Sequence, residues 1–124
     1  MSIPRPEDVH PIFVRAFNAG DLDALTALYE PDAVLVPDPG QRARGTAAIR
    51  EAFARIFALQ PRMELSTETI VESGDGLALL HGKWILTGSA PNGDAVRMEG
   101  RSAEMIRRQA GGGWLYVLDN PFAG

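Results

Sequence analysis

Apolar residues recur at helical spacing in the first half of the chain and at every second position in the second half. Val9, Ile12, Phe13, Ala16 and Phe17 form one stripe at i, i+3, i+4, i+7 and i+8, which predicts a helix over about residues 8–19. Asp8 is placed to cap it, and Pro11 falls in the first turn, where its missing N–H costs little. Gly20 suits the position just past its end. A second helix opens at Asp21, shows Leu22, Leu25, Leu28 and Tyr29 on one face, and stops at Pro31. Ala33 to Val36 reads as a short strand cut off by Pro37-Asp38-Pro39-Gly40. Thr46 then caps a third helix with the stripe Ile49, Ala52, Phe53, Ile56 and Phe57, and Pro61 lies just beyond it.

From Arg62 the period changes from 3.6 to 2. Met63, Leu65, Thr67, Thr69 and Val71 share one face of a strand over residues 62–73. Further strands are predicted over 77–88, 95–109 and 114–119, separated by Ser73-Gly74-Asp75-Gly76, Pro91-Asn92-Gly93-Asp94 and Ala110-Gly111-Gly112-Gly113. Strands joined by such short turns pair antiparallel. The fold class is therefore α+β, in the order α-α-β-α-β-β-β-β. A strand of about twelve residues spans roughly 40 Å, so the sheet has to bend. Gly82, Gly88 and Gly100, inside strands, are expected to mark bulges or bends. The expected shape is a cone: a curved antiparallel sheet on three N-terminal helices, with an apolar hollow at the wide end.

Composition narrows the chemistry. The 124 residues make one domain, 1–124, with no room for a separate cofactor domain. The absence of cysteine excludes disulfides, thiolate metal sites and cysteine nucleophiles. With 12 basic and 16 acidic residues, and no basic run longer than Arg107-Arg108, no nucleic-acid partner is expected. The first residues lack an apolar leader and no stretch is long and apolar enough to span a membrane, so the expected location is the cytoplasm. All basic residues but Lys83 are arginine, which together with the alanine content suggests a bacterial source. His10 and His81 show no metal-ligand spacing, and the glycine run 111–113 is followed by no helix that could hold a phosphate. No metal and no cofactor are expected.

Three stretches stand out together: Phe17-Asn18-Ala19-Gly20-Asp21-Leu22-Asp23-Ala24-Leu25, then Asp32-Ala33-Val34-Leu35-Val36, then Gly45-Thr46-Ala47-Ala48-Ile49-Arg50-Glu51. With this order of elements the chain resembles the nuclear-transport-factor-2-like superfamily, also called SnoaL-like or ketosteroid-isomerase-like. Its ending, Trp114 to Phe122, is similar to the uncharacterised branch. The resemblance implies a cone with a small-molecule pocket, and a fold that hosts isomerases, cyclases, dehydratases, hydrolases and non-catalytic binders alike. In the delta-isomerases an Asp-Pro after the same strand supplies the general base, and here Asp38 takes that place. Their first-helix tyrosine falls on Phe13, which has no proton to donate and argues against steroid isomerisation as such. Their strand acid falls near Glu104.

The residues support these assignments on their own terms, each beside a plainer reading. A carboxylate beside an apolar hollow can move a proton next to a carbonyl, so Asp38 is a candidate base; alternatively it only shapes its turn. Val96, Met98, Gly100, Ser102, Glu104 and Ile106 share the more apolar face of their strand, which sets Glu104 and Ser102 in the hollow or, for Glu104, in a salt bridge within the sheet. Trp84, Phe17, Tyr29 and Met98 would wall a flat pocket for a ring-shaped ligand, or simply pack the core. Trp114, Tyr116, Leu118 and Asn120 share a face of the last strand, from which Tyr116 or Asn120 could reach a ligand; Asp119 is then expected to point outward. The opposite sheet face mixes Leu79, His81, Ile85, Ala103, Met105 and Val117 with Arg101 and Arg107, which suggests a homodimer.

These observations leave three functions: a cofactor-free isomerase or cyclase-like enzyme acting by proton transfer on an apolar carbonyl compound, with Asp38 as base and Glu104 stabilising the oxyanion; a non-catalytic binder of a small apolar ligand; or a dimeric association module.

Overall fold

The computed structural model describes residues 3–124. A 3-10 turn over Pro6–Asp8 leads into α1 (Val9–Asn18) and α2 (Leu22–Thr26), followed by β1 (Tyr29–Leu35), β2 (Ala43–Arg44), α3 (Thr46–Phe57), β3 (Arg62–Glu72), β4 (Leu77–Ser89), β5 (Ala95–Arg108) and β6 (Trp114–Asn120). The strands form one open, curved sheet in the order β2-β1-β6-β5-β4-β3. All neighbours are antiparallel except β1 and β6, which run parallel. The expected α+β architecture and the four long strands are present. The two-residue β2 was too short to leave a periodic signal.

The helices depart from expectation at their edges. In α1 the buried face is Val9, His10, Phe13, Ala16 and Phe17, so a histidine rather than Ile12 completes the stripe. Asp8 makes no cap bond; its carboxylate pairs with Arg5 at 3.1 Å. Asp21 does cap α2, accepting from the Ala24 N–H at 3.0 Å. That helix ends at Thr26, well before Pro31, and Tyr29 opens β1. A proline is tolerated in β1 because the β1–β6 ladder is interrupted between Tyr29 and Val34. Gly45, at φ +89°, precedes α3, so Thr46 is its first residue rather than its cap.

Burial alternates along β4 and β5 as the period of two requires, with Leu80, Trp84, Leu86, Ser102, Glu104 and Ile106 buried. The expected bulges lie elsewhere. Register shifts occur in β3 between Thr67 and Thr69, and opposite Met105 and Ile106 in β6, while β4 and β5 pair without a break through Gly82, Gly88 and Gly100. All three glycines serve close approach instead, and a Cβ on Gly88 would lie 2.6 Å from the Leu59 carbonyl oxygen. A Cβ on Gly100 would lie 2.9 Å from Trp84 Cζ2, and one on Gly82 would lie 2.9 Å from Ser102 Oγ. The core sits between the helices and the concave face, around Phe13, Phe17, Tyr29, Phe53 and Tyr116. The Tyr29 and Tyr116 rings stack at 4.7 Å, and Phe13 meets Tyr116 edge-on at 6.1 Å.

Candidate functional site

A cavity of about 400 Å³ lies between α1, α3 and the concave face of β4, β5 and β6. Its walls are apolar: Phe13 and Phe17 from α1, Phe53 and Ile56 from α3, Trp84 and Leu86 from β4, and Phe122 beyond β6. Period 3.6 on the helices and period 2 on the strands aim these side chains at one space. Trp84 is fixed by donating its indole N–H to the Pro121 carbonyl at 2.7 Å, with Phe122 edge-on at 5.9 Å. Exposed Asp38, Gln41, Arg55 and Met98 surround the outer end.

The inner end is polar. Ser102, Glu104, Tyr116 and Asp119 all line it and all are buried. Glu104 and Asp119 are cross-strand partners on β5 and β6. Glu104 Oε1 lies 2.8 Å from His10 Nε2, a pair buried on both sides. Asp119 Oδ2 accepts the Tyr29 hydroxyl at 2.5 Å. Burial, then the charge of Glu104, pushes the Asp119 carboxyl up to about 8, against the opposing effect of the Tyr29 hydrogen bond. Asp119 is therefore largely protonated at neutral pH and can donate a hydrogen bond as well as accept one. Burial, followed by the Asp119 and Glu104 charges, holds the Tyr116 phenol well above its usual value, so it also stays protonated. The Ser102 hydroxyl is buried without a partner.

Of the residues singled out from the sequence, Asp38, Glu104, Phe13, Phe17, Trp84, Met98, Ser102 and Tyr116 all line this one cavity. Asp38 is exposed in its turn, which is closed by the Gln41 N–H donating to the Asp38 carbonyl at 3.0 Å, and not by its carboxylate. Tyr29 lies behind the lining, hydrogen-bonded to Asp119 and stacked on Tyr116. Leu118 and Asn120 are corrections. The extra residue in β6 resets the alternation after Tyr116, so Leu118 points outward at 40% exposure and Asp119 turns inward. Asn120 Oδ1 accepts from the Phe122 N–H at 3.0 Å, which commits it to the chain's own turn.

Two site residues escaped the sequence reading. Period-two counting puts Asp119 on the outer face, because a bulge leaves no mark in an apolar-polar pattern. His10 shows no metal-ligand spacing, and nothing in the sequence pairs it with Glu104. Its position one residue beyond Val9, on the edge of the apolar stripe, was the available signal.

Comparison with known proteins places this architecture. The structure is similar to a ketosteroid isomerase-like protein from Erwinia carotovora atroseptica, with TM-score 0.82, 22% identity, and 92% and 89% of the two chains covered. It is similar to a candidate calcium/calmodulin-dependent protein kinase II association domain from Xanthomonas campestris, with TM-score 0.80, 19% identity, and coverage of 94% and 84%. A nuclear transport factor 2-like superfamily protein from Salmonella enterica serovar Typhimurium matches with TM-score 0.79, 17% identity, and coverage of 95% and 89%. The sequence model of the SnoaL-like domain matches residues 12–116. On that match the chain belongs to the SnoaL-like domain family, and its fold is that of nuclear transport factor 2-like proteins.

Proposed function

We propose that the cavity binds an uncharged, apolar carbonyl compound and that the protein moves a proton on the carbon next to that carbonyl, without a cofactor. The observation that carries this reading is a largely apolar cavity with protonated donors at its buried end. A ligand carbonyl at that end would accept from the Asp119 carboxyl and the Tyr116 hydroxyl, whose protons are already in place before charge develops. Glu104 contributes by its charge, which keeps Asp119 protonated. Asp38, at the outer end, is the proposed base.

The test uses an apolar cyclic ketone in deuterated water. Wild type should catalyse exchange of the α-protons, and Asp38→Asn should slow it by about a hundredfold or more. Trp84 fluorescence should report unchanged ketone binding in the variant. Binding by wild type with exchange at the solvent background would identify a carrier and overturn the catalytic half of the reading.

A second reading, association of two copies, is favoured by one observation. Val71, Leu79, Met105 and Leu118 are successive cross-strand partners over β3, β4, β5 and β6, a continuous apolar row on the outer face of the sheet. Val71, Leu79 and Leu118 are 60%, 37% and 40% exposed.

A further inference from the structure

His10 is 1% exposed, yet both of its ring nitrogens are engaged. Nε2 meets Glu104 Oε1 at 2.8 Å, and Nδ1 meets Thr67 Oγ1 at 2.7 Å. The two partners lie in different surroundings. Glu104 lines the inner end of the cavity, whereas Thr67 is exposed on the edge strand β3 and forms no part of the cavity lining. Thr67 stands at the register shift in β3, where a bulge re-aims side chains. Space for the imidazole is kept open by Gly82, where a Cβ would come within 3.0 Å of His10 Cε1. A histidine serving only as the counter-ion of Glu104 would need one nitrogen. Here the ring bridges a buried acid to the surface.

We propose that Thr67 and His10 form a proton relay that connects Glu104 to bulk solvent through the wall of the fold, away from the cavity mouth. A hydronium ion at the surface gives a proton to the Thr67 hydroxyl and leaves as water, and the hydroxyl's own proton passes to His10 Nδ1. The proton on Nε2 passes to the ionised Glu104. One proton has then moved from solvent to the carboxylate, and the imidazole is left in its other tautomer. The reverse sequence returns it, so the path equilibrates Glu104 with solvent in both directions. Its use rests on the reading of the cavity as a ligand site: an apolar ligand closing the mouth would otherwise cut the buried acids off from water. The path itself can be tested without any ligand.

The chain has two histidines. His81 is exposed, so a slowly exchanging imidazole N–H in the proton spectrum belongs to His10, and His10→Gln should remove it. Exchange with water of the proton carried on Nδ1, the nitrogen that faces Thr67 and is told from Nε2 by its nitrogen shift, is measured in wild type, Thr67→Val and Thr67→Ser. Valine keeps the shape and strand preference but cannot pass a proton. The relay predicts exchange slowed about tenfold or more in Thr67→Val and restored in Thr67→Ser. Saturating 2-naphthol, used as a plug for the cavity, should leave the wild-type rate unchanged. Unchanged exchange in Thr67→Val, or wild-type exchange that collapses when 2-naphthol binds, would overturn the relay, since protons would then arrive by the mouth. Failure of 2-naphthol to bind would count against the ligand site alone, and the threonine variants would still decide the relay.

Discussion

Asp119 and Glu104 are buried acids on adjacent strands, and only Glu104 is paired with a histidine. The ordinary carboxyl value for Asp119 is 3.8, and in the folded protein it is about 8. Between these values the folded state keeps a proton that the unfolded chain has lost. Stability from this group therefore falls as pH rises from about 4 to about 8, and levels off above. Asp119→Asn keeps an oxygen to accept from Tyr29 but cannot ionise. Urea midpoints across this range should fall with pH in wild type and fall less in the variant. Parallel curves for the two proteins would show that Asp119 does not hold the extra proton. This residue also marks the limit of what a period-two pattern encodes. Glu104 was legible because β5 alternates without interruption, whereas Asp119 lies past an insertion that period-two counting passes over.

At the scale of elements, what decided legibility was regularity. The stripe of α1 and the alternation of β4 and β5 put Phe13, Phe17, Trp84, Met98, Ser102 and Glu104 on the faces that line the cavity, because burial of one face is what selects those periods. The second helix was overextended because Leu28 and Tyr29 continue its stripe, but five residues of helix gain too little to resist the pairing of β1 with β6. The strand glycines were visible, but their purpose depends on neighbours from other strands. Gly82 packs under His10, Ser102 and Leu65 at once. Gly82→Ala should therefore destabilise by about 1–3 kcal/mol through overpacking, although alanine is the better strand residue of the two. It should also push His10 away from Glu104. Thermal unfolding together with the His10 N–H resonance checks both effects, and a variant as stable as wild type with that resonance unmoved would show that the close contact carries no constraint.

For the whole molecule, the sheet has two faces with separate uses. The concave face is consumed by the helices and the cavity. The outer face carries the row Val71, Leu79, Met105 and Leu118, with Arg101 and Arg107 nearby, and Arg107 is bonded to Glu30 at 2.9 Å. Part of this row was legible from the alternation of β4 and β5; Leu118 joined it only because the β6 bulge turns it outward. A row that crosses four strands suits a two-fold contact, since the same side chains can meet their copies across the axis. Leu79 sits inside the row, between Val71 and Met105, so Leu79→Lys would put a charge into any such contact while leaving the cavity lining untouched. If the face pairs two copies, light scattering should give a dimer for wild type and a monomer for Leu79→Lys, with the Trp84 fluorescence response to 2-naphthol equal in both. A monomeric wild type at high concentration would remove the association reading. A dimer unaffected by the lysine would move the interface to another surface. Loss of the 2-naphthol response on dissociation would mean that the two faces are coupled through the sheet rather than independent.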